Sequence, residues 1–550
     1  MLEFPFDPDS LFSDPEIVRT RRALRERWHA ERFQDETTLP GALAESARLE
    51  PDFPIVLHSL EHPGSLTLGS LHRDSLAMAG AFAARGVRHG DVVAVQLPNW
   101  TETAVAYLAL ATLGAVFVPI VHIYGPRETD WILDASGARM YLCPDRWGNL
   151  DFLDRLGKMR TAEKLDVVIV GDQVPAGATA WEELVADAQE GFEPPPLDSR
   201  DPLLVVYTSG TTSDPKGVVH THETFLAELR NMPQMPMDDR DLVMLHPWPA
   251  GHIGGLCSML GPIVTRSKVV MIDRWDPEDA ADRIAEHGVT AIAGTPFHVM
   301  ALLDLAEAGD PRLANINEVV SGGAGVPPAL VERASVVGWS MWRSYGSSEH
   351  PTVSAGSRFG PLRPRAWTDG AICRGTEVRI VDDDGRDVEA GAEGEIWVIG
   401  PEQFVGYSDP ARNAEAFAPG GWFRTGDVGV LDADGNLTIT DRLKDIIIRG
   451  GENLSSLEIE DLLQRHPAVA EAAAVGFPDP RYGERVCAFV VPTPGEQVPT
   501  VAQLGSHFAQ LGVARQKTPE KVVEVDDFPR TAAGKVKKNE LRKLLVDEPD

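Results

Sequence analysis

The chain is poor in cysteine and in basic residues, and it lacks a long uninterrupted apolar run. Its 550 residues include 4 cysteines, which are far apart and form no Cys-x-x-Cys pair. The pattern therefore indicates neither a disulfide framework nor a zinc site, and it fits a reducing, cytoplasmic compartment. The first ten residues lack a basic segment followed by an apolar one, so we expect no signal peptide.

Acidic residues outnumber basic ones by 83 to 51, which gives a formal net charge of -32. A surface this acidic repels phosphate backbones, so we expect neither nucleic-acid binding nor attachment to anionic membranes. A site for a small polyanion would have to be locally positive within this negative molecule. Lys216, Arg442 and Lys535 are therefore more informative here than they would be in a basic protein.

The segment 104–123 is the stretch that most resembles a membrane span, because it carries no Asp, Glu, Lys or Arg. Gly114 and Pro119 interrupt it, whereas a span requires about 20 consecutive apolar residues. The segment therefore predicts a buried helix, a turn at Gly114 and a short buried strand, and no membrane span.

Strand and helix patterns alternate from Leu66 onward, which predicts a layered α/β architecture with a substantially parallel sheet. Residues 1–40 are charged and helical in pattern, and we expect them to form a surface extension. Residues from about 442 to 550 have the pattern of a compact α+β unit. A chain of this length is long enough for one large domain and a small one.

Residues 207–217 read Tyr-Thr-Ser-Gly-Thr-Thr-Ser-Asp-Pro-Lys-Gly and follow a short apolar strand, Leu203–Val206. Backbone N–H groups and hydroxyls in such a loop can converge on a polyphosphate, and Lys216 adds a positive charge. The stretch is not a Walker A loop, because the lysine follows proline and precedes glycine. The alternative is a flexible Ser/Thr/Gly surface loop.

Four later stretches also have an ordinary structural alternative. Glu349 could simply begin a helix, and Asp427 could belong to a Gly-Asp turn before a strand. His252 could be a hydrogen-bonded loop histidine, and Lys535 could be a solvated lysine in a basic tail. The turn at 322–328 contains Gly-Gly-Ala-Gly but not the third glycine of a dinucleotide fingerprint, so NAD binding is rejected.

Taken together, five separated motifs resemble those of the adenylate-forming (ANL) superfamily, which includes acyl-CoA synthetases, adenylation domains and luciferases. They are residues 207–217, 345–349, 425–427, 441–453 and 529–535, and they occur in the order in which that family has them. The resemblance extends from about Leu66 to Leu544. The chain departs from the usual pattern at Ser213 for glycine, at Ser348 for threonine, and at Ser456, where proline is frequent.

This resemblance implies a large N-terminal AMP-binding domain of layered α/β sheets, residues 1–440, and a small, mobile α+β C-terminal domain, residues 441–550, with the hinge at Asp441. It implies catalytic roles for Lys535, Glu349 and Lys216. It also implies an ATP/AMP site formed by Thr208, Ser209, Gly210, Thr211, Thr212, Lys216, Gly323, Ala324, Ser344, Tyr345, Gly346, Ser348, Asp427, Arg442 and Lys535. The acyl pocket would include His252, Ala324 and Ser347. CoA would pass Gly450 and Gly451, and Mg²⁺ would bind Glu349 and Thr211.

The activity implied is that of an ATP-dependent acyl-CoA synthetase, which joins a carboxylic acid to CoA through an acyl-adenylate. The expected cofactors and partners are therefore ATP, Mg²⁺, CoA as co-substrate and a small carboxylic acid. The small and flat pocket residues favour a medium-length, cyclic or aromatic acid over a very long chain. The sequence does not determine the oligomeric state, and a homodimer is one arrangement compatible with it.

Other activities remain open at this stage. A stand-alone adenylation enzyme that transfers the acyl group to a carrier protein is the main alternative. An amino-acid substrate is disfavoured, because the loop from Trp248 to Gly255 has no aspartate for the ammonium group. A luciferase-type reaction is not excluded. A catalytically silent sensor would be expected to have lost Lys535 or Glu349, and both are present.

Overall fold

The structure is a computed structural model that describes residues 6–187, 191–208, 215–231, 242–449, 452–479, 482–511, 515–531 and 534–546. The α-helices within these residues are α1 (Pro15–Ala30), α2 (Leu39–Leu49), α3 (Leu68–Ala84), α4 (Thr101–Leu113), α5 (Pro126–Ser136), α6 (Phe152–Leu156), α7 (Trp181–Ala186), α8 (His222–Asn231), α9 (Ile253–Leu260), α10 (Pro262–Thr265), α11 (Pro277–His287), α12 (Pro296–Glu307), α13 (Pro328–Val336), α14 (Leu362–Trp367), α15 (Pro410–Ala416), α16 (Ser456–Gln464), α17 (Val501–Gln510) and α18 (Lys538–Val546).

The strands within the same residues are β1 (Pro54–His58), β2 (Leu66–Thr67), β3 (Val92–Val95), β4 (Val116–Pro119), β5 (Met140–Pro144), β6 (Arg146–Trp147), β7 (Leu150–Asp151), β8 (Asp166–Val170), β9 (Thr179–Ala180), β10 (Pro202–Thr208), β11 (Lys216–Thr221), β12 (Val243–His246), β13 (Lys268–Ile272), β14 (Ala291–Gly294), β15 (Glu318–Ser321), β16 (Ser340–Tyr345), β17 (Ser354–Ala355), β18 (Ala371–Ile372), β19 (Glu377–Val381), β20 (Gly394–Ile399), β21 (Gly406–Tyr407), β22 (Phe417–Ala418), β23 (Trp422–Leu431), β24 (Leu437–Arg442), β25 (Ile447–Arg449), β26 (Glu452–Leu454), β27 (Val469–Asp479), β28 (Gly483–Pro492) and β29 (Lys521–Glu524).

Two large, mostly parallel sheets form the body of the molecule. One has the order β18-β17-β16-β15-β14-β12-β13-β1-β2, and the other has the order β21-β11-β10-β4-β3-β5-β8-β9. A third, antiparallel sheet contains β19, β20, β23, β22 and β24. The predicted layered α/β architecture is therefore confirmed. Parallel strands are buried on both faces by the crossover helices, which is why they have nearly continuous apolar sequences.

The apolar segment 104–123 is a buried helix and strand, as predicted. α4 ends at Leu113 and is followed by Gly114, whose φ of 74° favours glycine, and then by β4. β4 pairs in parallel with β3 inside the second sheet. Within the described residues, no helix is both long enough and apolar enough to cross a membrane.

The N-terminal segment is more firmly attached than the predicted surface extension. Leu11, Ile17 and Trp28 are buried, and Asn413 Nδ2 donates a hydrogen bond to the carbonyl of Leu11 at 3.0 Å. Arg25 forms an ion pair with the buried carboxylate of Glu223 on α8. The many charged residues of α1 suggested an exposed helix, but they lie on one face of it, and its apolar face packs against the large domain.

The C-terminal part has its own small sheet, with the order β26-β25-β28-β27 and β29 paired to β28. α16, α17 and α18 accompany this sheet, so the predicted α+β pattern is confirmed. Among the described residues, its core consists of residues from Ile447 onward, including Ile459, Leu463, Phe489 and Phe508. A separate core is what an independently packed unit requires. The proposed boundary at Asp441 itself stays a prediction.

Candidate active site

Several parallel strands of the first sheet end at one edge, and residues at or just after those ends line a single cavity. β12 ends at His246, and Thr295 follows β14. Gly322 follows β15, and Tyr345 ends β16. The carboxyl edge of parallel strands is the usual ligand site of open α/β sheets, because loops and helix N-termini converge there.

The cavity has a volume of about 820 Å³, and both the large and the small domain contribute to its walls. Of the residues predicted for the site, those that line it are Thr208, Lys216, His252, Gly323, Ser344, Tyr345, Gly346, Ser347, Ser348, Glu349, Arg442 and Lys535. Lys444 and Lys537 add further positive charge. The local excess of cations that an acidic molecule needs for a polyanion is therefore present.

Some predicted residues do not line the cavity. Asp427, predicted for the ATP/AMP site, is buried and is not among the lining residues. Ala324, predicted for both the adenine site and the acyl pocket, is half-buried but does not line the cavity, whereas its neighbours Gly322 and Gly323 do. Ser209, Gly210, Thr211 and Thr212 fall outside the described residues, as do Gly450 and Gly451. Their proposed roles in phosphate, metal and CoA binding therefore stay predictions.

Tyr345, Asp427 and Arg442 form one hydrogen-bonded row beside the cavity. The Tyr345 hydroxyl donates to Asp427 Oδ2 at 2.7 Å, and Arg442 Nε donates to Asp427 Oδ1 at 2.5 Å. The three residues come from β16, β23 and β24, and the last two strands are paired with Asp427 opposite Arg442. The Asp427 carboxylate is almost fully buried, so these two donors stabilise its charge.

Glu349 and Lys216 are joined through a residue that the sequence did not single out, Tyr407. The Tyr407 hydroxyl donates to Glu349 Oε1 at 2.7 Å, and Lys216 Nζ lies 5.0 Å from the centroid of its ring. β21 carries Tyr407 and pairs with β11, which begins at Lys216. A Gly-Tyr dipeptide carries no local signal for such a role, because the contacts of Tyr407 with Lys216 and Glu349 arise only in the tertiary structure.

Lys535 reaches the cavity on a turn of the small domain. The backbone N–H of Lys535 donates to Thr531 Oγ1 at 3.1 Å, and the N–H of Thr531 donates to the Lys535 carbonyl at 2.7 Å. A side chain at Gly534 would lie 3.3 Å from Thr295 Oγ1, so the turn packs against the start of α12. Burial, and then the positive charge of Arg442, lowers the pKa of the Lys535 ammonium to about 7.

Asp441, the predicted hinge residue, is tied to the small domain in this arrangement. Its carboxylate accepts hydrogen bonds from the Ser456 N–H at 2.5 Å and from the Ser456 hydroxyl at 2.9 Å. Lys538 Nζ donates to the same hydroxyl at 2.7 Å and forms an ion pair with Glu460. Burial raises the pKa of Asp441. Ser456, at a position where proline is frequent in adenylate-forming enzymes, therefore donates two hydrogen bonds to the predicted hinge residue.

The remainder of the cavity is mostly apolar. Leu229, Met244, Trp248, Val269 and Trp342 line it, and we call them the apolar wall.

His252 also borders this part of the cavity, and in the described structure its Nε2 is buried without a hydrogen-bond partner. Burial lowers the pKa of His252 to about 4, so the ring is neutral at physiological pH. A neutral ring with a free nitrogen is suited to a substrate contact.

Comparison with known proteins gives a family that agrees with this geometry. The sequence profile of the AMP-binding enzymes matches residues 43–408, and that of the AMP-binding enzyme C-terminal domain matches residues 458–535. A medium-chain fatty-acid–CoA ligase of Escherichia coli is 32% identical over 549 residues, which cover 98% of this chain and 96% of the relative.

Two further comparisons extend this result. The fatty acid–[acyl-carrier-protein] ligase ScoC of Streptomyces coeruleorubidus is 32% identical, and the match covers 90% of this chain and 94% of the relative. The crystal structure of ATP-bound MatB from Rhodopseudomonas palustris has a TM-score of 0.82 at 27% identity and covers 93% of this chain and 99% of that one. The fold and the cavity therefore define an adenylate-forming enzyme. Since one profile spans well over half of its length, the chain belongs to the AMP-binding enzyme family.

Proposed function

We propose that this protein is an ATP-dependent acyl-CoA synthetase that converts a carboxylic acid, ATP and CoA into acyl-CoA, AMP and pyrophosphate. One observation carries the proposal: a single cavity is lined both by Lys216, Glu349, Arg442 and Lys535 and by the apolar wall. The four charged residues suit a nucleoside triphosphate and its metal ion, and the apolar wall suits the hydrocarbon part of a carboxylic acid.

In the first half-reaction, a carboxylate oxygen attacks the α-phosphorus of ATP, and the bond from that phosphorus to pyrophosphate breaks. Such an in-line displacement depends mainly on positioning and on neutralising charge. Lys216, at the end of the Ser/Thr/Gly loop, would hold the outer phosphates. Asp427 would accept hydrogen bonds from the ribose hydroxyls, with Arg442 and Tyr345 fixing its orientation. The Tyr345 ring would stack on adenine.

Lys535 would lie between the attacking carboxylate and the α-phosphate. Its ammonium would stabilise the negative charge that develops on the phosphate oxygens in the transition state. The turn that carries Lys535 is packed on α12 in the structure, and this arrangement is the one that the first half-reaction requires. A triphosphate bound beside it would raise the pKa of the ammonium again and keep it charged.

In the second half-reaction, the sulfur of CoA attacks the acyl carbonyl, and the bond from that carbon to the AMP oxygen breaks. Lys535 must then leave the cavity, which a rotation of the small domain about Asp441 would achieve. Gly450 and Gly451 would border the path of the pantetheine arm, because glycine permits close approach of a slim ligand.

Mg²⁺ is part of the same proposal. Glu349 offers a carboxylate at the cavity with one oxygen held by Tyr407, and the other oxygen keeps acceptor capacity. Mg²⁺ prefers one or two carboxylates together with phosphate oxygens and waters, so this donor set fits. When bound, the ion would neutralise phosphate charge. The chain has four widely separated cysteines and no Cys-x-x-Cys pair, which supports a cytoplasmic location, and a homodimer remains a prediction for sedimentation analysis.

The test is release of AMP, pyrophosphate and acyl-CoA, all followed at once, with a panel of carboxylic acids and with CoA present or absent. We expect some acids to give pyrophosphate and acyl-CoA in equal amounts. If no acid supports ATP turnover although calorimetry shows that ATP binds, the ligase assignment fails for that panel.

A carrier protein as acceptor is the second candidate, because ScoC is named as a ligase for an acyl carrier protein. The same experiment separates the two. If acids support ATP–pyrophosphate exchange but CoA yields no thioester, the acceptor is not CoA. Thioester formation on a phosphopantetheinylated carrier protein would then be the decisive measurement.

A further inference from the structure

An acidic side chain that the proposed mechanism does not use lines the same cavity as the apolar wall. Glu228 lies on α8, lines the cavity, and is 3% exposed. Thr352 Oγ1 donates a hydrogen bond to Glu228 Oε1 at 2.6 Å. Cavities of this kind usually carry a few polar groups that fix the orientation of the ligand.

In the described part of the chain, the Glu228 carboxyl has no cationic partner. Among the residues that the structure describes, no lysine, arginine or histidine lies within ion-pair distance of it. Burial raises the pKa of Glu228 to about 7, although the hydroxyl and the backbone N–H of Thr352 counteract the rise. The two donors of Thr352 offset only part of the cost of burying this carboxyl, so a further hydrogen-bond donor from a ligand would stabilise it.

The surroundings make a purely structural role for this carboxyl less favourable. A second buried carboxyl, Glu402, lies close enough that the charge of Glu228 helps burial to raise the pKa of Glu402 to about 8. Glu402 accepts a hydrogen bond from Thr376 at 2.8 Å and does not line the cavity. The charge of Glu228 therefore adds to the cost of keeping Glu402 buried, and a hydrogen-bond donor on a ligand at the cavity would offset part of this cost.

A thiol from a second helix also lies near Glu228. Cys257 on α9 lines the same cavity, and burial, with a further contribution from the charge of Glu228, raises the pKa of its thiol. A neutral thiol is only a weak hydrogen-bond donor, so it cannot replace a strong one. Of these two groups, only the carboxyl is a strong hydrogen-bond acceptor for a ligand.

We infer that Glu228 is a specificity-determining residue of the acyl pocket, which selects carboxylic acids that carry an O–H or N–H hydrogen-bond donor on an otherwise apolar body. The inference rests on the proposed function. A pocket built to hydrogen-bond a substrate group rejects the analogue that lacks this group much more strongly than a hydrophobic pocket rejects a missing methylene.

The test compares matched acids: benzoic, the three methylbenzoic, the three hydroxybenzoic and the three aminobenzoic acids, and octanoic, 8-hydroxyoctanoic and 8-aminooctanoic acids. Pyrophosphate release gives kcat/KM for each acid with the wild type, Glu228→Leu and Glu228→Gln. Glu402→Gln is the control, because it alters a neighbouring buried carboxyl that does not line the cavity.

We expect the best donor-bearing acid to exceed its matched donor-free acid by about 10²-fold or more in the wild type. Glu228→Leu should reduce that ratio at least about tenfold, mostly through KM, whereas Glu402→Gln should leave it unchanged. Glu228→Gln separates the two kinds of donor. It should keep the preference for a hydroxyl, and it should lose the preference if the donor is an ammonium group that pairs with the carboxylate.

Two results would overturn the inference. One is a wild-type preference for the donor-free member of every pair, which needs no variant to be folded. The other is an unchanged ratio in Glu228→Leu with an unchanged melting temperature. If no acid supports turnover, the proposed function fails separately. Calorimetric binding of the same pairs to the wild type then decides the inference, and equal affinities within each pair would refute it.

Discussion

Replacing Lys535 by alanine should separate the two half-reactions. Among the described residues, no carboxylate lies within ion-pair distance of the Lys535 ammonium, and its burial lowers its pKa to about 7. The charge is therefore a cost to the folded state without substrate, so we expect the melting temperature of Lys535→Ala to be unchanged or slightly higher.

We expect a large loss of rate in adenylation and little loss in thioester formation. A preorganised donor that meets charge only in the transition state typically contributes about 10²–10³ in rate, or about 2.7–4 kcal/mol. Adenylation should fall by at least this factor, since Lys535 is also charged. Thioester formation from preformed acyl-adenylate should change less than about threefold, because that step requires the lysine to be elsewhere.

Two assays measure these quantities: ATP–pyrophosphate exchange for adenylation, and acyl-CoA formation from synthetic acyl-adenylate for the second step. Lys543→Ala is the matched control, because it removes an exposed lysine from α18 of the same domain. Equal losses in the two half-reactions would refute the proposal that Lys535 acts in adenylation and not in thioester formation. A large fall in melting temperature would instead indicate a structural role for Lys535.

Three further predictions follow from the same site. The kcat/KM for adenylation should decline as pH rises through about 7, because the lowered pKa of Lys535 means that the free enzyme loses its ammonium there; a profile flat from pH 6 to 9 would contradict this. Tyr407→Phe should raise the KM for ATP by about three- to tenfold, because Glu349 loses the hydrogen bond that orients it; initial rates at varied ATP measure this, and an unchanged KM would speak against it. Asp427→Asn should weaken ATP binding by at least about tenfold in calorimetry, because the charge paired with Arg442 disappears; 2′,3′-dideoxy-ATP should bind the variant and the wild type about equally, and a wild-type-like affinity for ATP would refute the role in ribose binding.

The sequence by itself was sufficient for the general architecture. The alternation of strand and helix patterns predicted the layered α/β body, and the break at Gly114 distinguished a buried helix and strand from a membrane span. These features are encoded locally, in the spacing of apolar residues and in the glycines and prolines that end helices and strands. The motif residues Lys216, Glu349 and Lys535 were also found from the sequence, and all three line one cavity.

The tertiary structure decided which residues meet. Tyr407 lies 58 positions from Glu349, and Glu228 lies 124 positions from Thr352, so no local pattern could connect them. Ala324, by contrast, belongs to a predicted motif but does not line the cavity, because a turn directs neighbouring residues to different sides. Strand order and helix packing place distant side chains within hydrogen-bond distance. A period of 2 or 3.6 residues specifies only the face on which each residue lies.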